Sequence, residues 1–64
     1  MITVNGEKIQ TNTIHLNELL SEMKLSDQLC AVEVNKELIP HKERDTFVLQ
    51  EGDTIEVVSL VGGG

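Results

Sequence analysis

A chain of 64 residues makes one domain with one small core, because a chain this short buries only about 60% of the surface it exposes when unfolded, and no room remains for a catalytic cleft with its scaffold. Five Lys and Arg against eleven Asp and Glu leave a formal charge of −6, which argues against a nucleic-acid backbone as partner and for a basic protein surface. No stretch reaches the length of a membrane span, Met1-Ile2-Thr3-Val4 has no signal-peptide pattern, and the single cysteine, Cys30, has no disulfide partner and no metal-ligand spacing. The expectation is a cytoplasmic protein held together by packing alone.

Ile2-Thr3-Val4 alternates apolar and polar, and Asn5-Gly6 then supplies a dipeptide suited to a type I′ turn. A hairpin follows, with a return strand over about Glu7–Thr11 and Ile9 as its inward residue. Leu16, Leu19, Leu20 and Met23 fall at i, i+3, i+4, i+7, which predicts a short amphipathic helix with Glu18 in its first turn and Lys24 in its last. His15 stands where a capping-box Ser or Thr would precede Glu18 by three residues. Histidine is a poorer cap, so a frayed start, or one nearer Thr13, is expected. Leu25-Ser26-Asp27-Gln28 links the helix to a strand over Cys30–Val34, Asn35-Lys36 turns it, and Glu37-Leu38-Ile39 continues until Pro40, which has no N–H to donate, ends the pairing.

His41–Asp45 is charged at nearly every position and reads as a solvated crossing loop with one turn of 3₁₀ helix. Phe47-Val48-Leu49 reads as a short strand, and Glu51-Gly52-Asp53 as a turn with Gly52 in a left-handed position. In the last strand Ile55, Val57, Ser59 and Val61 point one way, and Thr54, Glu56, Val58 and Leu60 the other. With Ile55 and Val57 facing the helix, Val58 and Leu60 are left as apolar side chains on the open face of the sheet. The order predicts an α+β domain, a mixed sheet covered on one face by one helix.

The final strand runs directly into Gly62-Gly63-Gly64. A terminus carried on glycines has no Cβ atoms near it, so its backbone passes through a channel too narrow for side chains. Three extended residues reach roughly 10 Å, enough to deliver the Gly64 carboxylate into a partner's active site while the folded body stays outside.

The order ββα followed by further strands, ending in Gly-Gly, resembles the β-grasp, ubiquitin-like fold. Val34-Asn35-Lys36-Glu37-Leu38-Ile39-Pro40, then Glu51-Gly52-Asp53 leading into the last strand, then Val61-Gly62-Gly63-Gly64, together with Glu18-Leu19-Leu20 in the helix, resemble the ThiS-type sulfur carriers of thiamine biosynthesis over essentially the whole chain. The resemblance implies a β-grasp domain over residues 1–61 and a glycine tail over 62–64. It implies that a ubiquitin-activating-type enzyme (ThiF-type) uses MgATP to adenylate the Gly64 carboxylate, and that a persulfide charged by a cysteine desulfurase converts it to a thiocarboxylate. Thiazole synthase (ThiG-type) would take the sulfur. The chain itself then binds no cofactor and is a substrate, not an enzyme. Gly64 is the sulfur-bearing residue, Gly63 and Gly62 thread the tail, and Val58, Leu60 and Val61 belong to the partner-docking region. Glu56 departs from the pattern, standing where an apolar residue would widen the patch.

Other chemistry is weaker. Cys30 lies on a predicted strand among apolar residues, where a free cysteine packs. His15 and His41 have no third ligand at metal spacing, and Asp45, Glu51 and Asp53 sit at turns and loops that favour acidic residues anyway. Two alternative functions stay open: the small subunit of molybdopterin synthase, which shares the fold and the thiocarboxylate, and a non-covalent β-grasp interaction module with an incidental tail.

Overall fold

In the computed structural model, which describes residues 1–25 and 29–59, Asn5 and Gly6 take φ of 50° and 85°. That left-handed pair makes the type I′ turn and folds β1 (Ile2–Val4) onto β2 (Glu7–Ile9), with Ile2 opposite Ile9. The return strand stops short of Thr11. Past Ile9 the Thr11 hydroxyl leaves the ladder, donating to Glu22 Oε1 at 3.1 Å and meeting the Thr13 hydroxyl at 3.1 Å.

The helix α1 (Leu16–Glu22) buries Leu16, Leu19 and Leu20 almost completely. Its start is neither frayed nor shifted toward Thr13. The amides of Leu16 and Asn17, two of the first-turn donors that a helix leaves unsatisfied, donate to the Phe47 and Arg44 carbonyls at 2.9 Å each. Carbonyls from a distant loop thus do much of what a Ser or Thr cap would do. At the other end Lys24 lies beyond the last turn, with φ 62°. The Leu25 amide donates to the Leu20 carbonyl at 2.7 Å and the Lys24 amide to Ser21 at 3.0 Å, the paired bonds of a Schellman motif in which lysine occupies the position that usually takes glycine. Leu25 packs against the core there.

β3 (Cys30–Val34) turns into β4 (Glu37–Leu38) through Asn35 and Lys36, at φ 53° and 69°. β5 (Thr54–Ser59) enters the middle of the sheet, giving the order β2-β1-β5-β3-β4, parallel to β1 and antiparallel to β3. This mixed five-stranded sheet with one helix is the α+β, β-grasp arrangement. Ile2, Val4, Val32, Val34, Ile39 and Ile55 meet the helical leucines in one core, with Ile9, Met23, Phe47 and Val57 packed around it.

Two expectations about the loop between β4 and β5 need correction. The 3₁₀ turn forms at His41–Glu43, but Arg44 is 5% exposed and not solvated. Its Nη2 donates to the Cys30 carbonyl at 2.8 Å, which anchors the loop to the start of β3. Phe47–Leu49 is not a strand of the sheet. It pairs with the lead-in to the helix through a single bridge, His15 to Val48, and the Leu49 amide donates to the Ile14 carbonyl at 2.7 Å. No described helix is long and apolar enough to cross a membrane.

Candidate functional site

β5 lies between two strands, paired with β1 at Thr3/Thr54 and Val4/Ile55 and with β3 from Ile55 to Ser59. A side chain on it therefore sits on a surface braced by neighbouring strands. Pleat alternation sends Ile55 inward to complete burial and packs Val57 against the core, while Thr54, Glu56 and Val58 are exposed on the opposite face. Val58 is 58% exposed, where the sequence placed it. Leu60, Val61, Gly62, Gly63 and Gly64 lie outside the described residues. By length alone, residues 60–64 extend at most roughly 17 Å past Ser59.

Register adds residues that periodicity does not reveal. Ala31 stands directly opposite Val58, Glu33 opposite Glu56, and Leu38 opposite Glu33 on its other side. Paired residues in a ladder share a face, so Leu38, Glu33 and Glu56 form one row of the open face and Ala31 and Val58 the next. Leu38 is 61% exposed. The alternation of β3 marks Ala31 and Glu33 as outward-facing, but only strand pairing sets them beside β5. Among the described residues the ion pairs are the amino terminus with Glu51 and His15 with Glu18; Glu33 and Glu56 share in neither.

The residues outside this face are accounted for by packing and capping. Cys30 is a buried free thiol whose Sγ lies 3.9 Å from Arg44 Nη1. The His15 backbone N–H donates to Glu18 Oε1 at 3.0 Å, and His15 Nδ1 lies 3.2 Å from the same oxygen. The backbone bond first, and the side chain second, hold the Glu18 carboxyl below the usual glutamate value. His15 and His41 are not brought into a cluster: among the described residues, no group of three or more His, Cys, Asp or Glu is placed to hold a metal ion. Asp53 closes the turn before β5, its Oδ2 accepting the Gln50 amide at 2.8 Å and its Oδ1 accepting from Asn35 Nδ2 at 3.0 Å.

Compared with known proteins, the ThiS family model matches residues 1–64. The sulfur carrier protein ThiS of Bacillus subtilis is 33% identical over 66 residues, covering the whole of both chains. A thiazole synthase of Paramagnetospirillum magneticum is 30% identical over 64 residues, a match that takes in 98% of this chain but 20% of that longer one. Among solved structures, the crystal structure of the thiamine biosynthesis protein ThiS of Geobacter metallireducens superposes with a TM-score of 0.82 at 30% identity, covering 98% of this chain and 97% of that one.

Proposed function

The chain belongs to the ThiS family, the ubiquitin-like sulfur carriers of thiamine biosynthesis, and from that premise we propose that its sulfur travels as a thiocarboxylate on Gly64. A carboxylate is a poor electrophile with no good leaving group. A ThiF-type adenylating enzyme therefore joins the Gly64 carboxylate to the AMP part of MgATP, releasing pyrophosphate. A persulfide supplied through a cysteine desulfurase then attacks the acyl carbon and displaces AMP. A second thiol takes the remaining sulfur of that acyl disulfide away as an ordinary disulfide, leaving the thiocarboxylate. ATP and Mg²⁺ belong to the activating partner. The chain supplies the electrophile and a rigid body to grip, and does no catalysis.

The observation that carries this reading is the family match over the whole length, in a sequence that ends in Gly62-Gly63-Gly64, two residues beyond Leu60. Gly62 and Gly63 let the tail thread into the partner, and Val58, Leu60 and Val61 form the neighbouring docking region. Thiazole synthase is the favoured acceptor over molybdopterin synthase, supported by the Paramagnetospirillum thiazole synthase that holds a stretch similar to this chain within its own sequence. The natural setting is the cytoplasm, where a thiocarboxylate stays reduced.

The test is fragment-level mass spectrometry of the C-terminal peptide, on protein made in a host with the matching adenylating enzyme and desulfurase. A sulfur-for-oxygen shift localised to Gly64 is expected. Intact mass does not suffice, since oxidation of Met1, Met23 or Cys30 adds nearly the same nominal mass. An unmodified Gly64, with the partner enzymes active on another carrier, would overturn the reading. Gly64→Ala should abolish activation, whereas a non-covalent interaction module would bind its partner as before.

A further inference from the structure

We propose that Asn5 is a site of spontaneous modification, in which the Gly6 backbone nitrogen attacks the Asn5 carboxamide at a rate set by how firmly β5 holds that side chain. The bond from Gly6 N to Asn5 Cγ forms as the bond from Cγ to Nδ2 breaks, and the Gly6 amide proton leaves with Nδ2 as ammonia. Water then opens the cyclic imide at either carbonyl. One product is aspartate; the other is isoaspartate, whose main chain runs through Cβ and Cγ. No oxidant, cofactor or partner takes part.

Sequence and geometry together single out Asn5. Of the asparagines, Asn5, Asn12, Asn17 and Asn35, it alone is followed by glycine, so no β-carbon crowds the attacking nitrogen. A Cβ at Gly6 would meet nothing within 4 Å, so the surroundings do not crowd it either. Asn35 is the internal comparison, because it occupies a turn of the same left-handed shape. Its carboxamide is fixed at both ends: Oδ1 accepts the Thr54 amide and Nδ2 donates to Asp53 Oδ1, each at 3.0 Å. Asn5 Oδ1 accepts the Val57 amide at 2.8 Å. Among the described residues its Nδ2, the leaving group, donates to none.

The folded turn restrains the reaction. In the left-handed conformation the Gly6 nitrogen stands across the Asn5 Cα–C bond from Cβ, so the ring closes only after the turn opens. Opening breaks two bonds to β5, from the Asn5 amide to the Ile55 carbonyl at 2.9 Å and from the Val57 amide to Asn5 Oδ1. These lie where the backbone pairing of β1 with β5 ends, at Val4 opposite Ile55, and the Asn5 side chain continues the ladder by one more rung. Isoaspartate moves that carbonyl into the main chain, and Val57 loses its acceptor. The modification therefore loosens the outermost described hold of the β1 side on the strand that leads to the tail.

The experiment incubates the full chain and Lys36→Gly, which creates a second Asn-Gly step in a turn of the same shape, in mildly alkaline buffer and in denaturing urea. Peptide mass spectrometry locates the change from amide to acid, and isoaspartyl methyltransferase labelling counts the isoaspartate. In urea, Asn5 and the Asn35 of the variant should react at similar rates. In the native state Asn5 should slow by about tenfold, and the Asn35 of the variant by about tenfold more, as expected of one or two further hydrogen bonds that must open. The separated isoaspartyl form should melt about 4–8 °C below the unmodified chain. Equal rates for Asn5 in native buffer and in urea would overturn the control by β5. A native Asn35 of Lys36→Gly that reacts as fast as Asn5 would show that the following glycine alone decides. An Asn5 that survives urea would remove the site, and an unchanged melting temperature would overturn the effect on β5. None of these readouts depends on the chemistry at Gly64.

Discussion

The two hairpin turns of the sheet share one backbone shape and differ in sequence, and Lys36→Gly uses the difference. Asn5-Gly6 holds φ of 50° and 85°, Asn35-Lys36 holds 53° and 69°, so lysine occupies in the second turn the left-handed position that glycine fills in the first. An L-residue with a Cβ atom costs roughly 1–2 kcal/mol in that conformation. Replacing it with glycine returns part of that gain, about 0.4–1 kcal/mol, as extra freedom of the unfolded chain. The net stabilisation is about 0.5–1 kcal/mol, which for a domain of this size raises the melting temperature by about 2–8 °C. Lys36 is exposed and takes part in no described ion pair, so nothing is lost with its side chain. Asn35 must stay, because its Oδ1 accepts the Thr54 amide at 3.0 Å and its backbone amide donates to the Thr54 carbonyl at 2.7 Å, tying the turn to the root of β5. The assay is thermal and urea unfolding by circular dichroism, with Lys36→Ala as the control that keeps a Cβ. Equal melting temperatures for the glycine and alanine variants would refute the reasoning.

Lys24→Gly makes the same exchange at the left-handed end of α1, and the expected gain is again about 0.5–1 kcal/mol; a loss in urea unfolding would show that the lysine side chain has a role there. Leu20→Ala, at a side chain 1% exposed, should cost about 2–5 kcal/mol, a large share of the roughly 3–10 kcal/mol that a domain this small possesses. Val58→Ala, on the open face, should cost no more than about 0.5 kcal/mol, and similar losses for the two would misplace the core. Glu18→Gln tests the cap through pH. The folded Glu18 carboxyl lies below its ordinary value, so it contributes stability that is present above the unfolded pKa of about 4.3 and is lost as pH falls through the lower folded value. The variant should flatten that part of the acid limb, and an acid-unfolding curve parallel to wild type would contradict the assignment.

Features governed by neighbouring residues are legible in the amino-acid sequence alone: the Asn5-Gly6 and Asn35-Lys36 turns, the Leu16, Leu19 and Leu20 face, β3 over Cys30–Val34, the 3₁₀ turn at His41–Glu43 and the outward position of Val58. Local φ preference, a period of 3.6 or 2 and the covalent chemistry of a glycine-borne terminus are written in adjacent letters. What the tertiary structure decided are relations between segments far apart in the chain. Arg44 reads as one more charge in a solvated run, yet the Cys30 carbonyl draws it into the interior. Phe47–Leu49 has the composition of a strand, but its hydrogen bonds go to the residues leading into α1, and those same bonds start the helix at Leu16 despite a weak cap. Glu33 and Glu56 are ordinary outward residues until β3 and β5 align them. Register is set by the summed pairing and burial of whole strands, and no local window contains it.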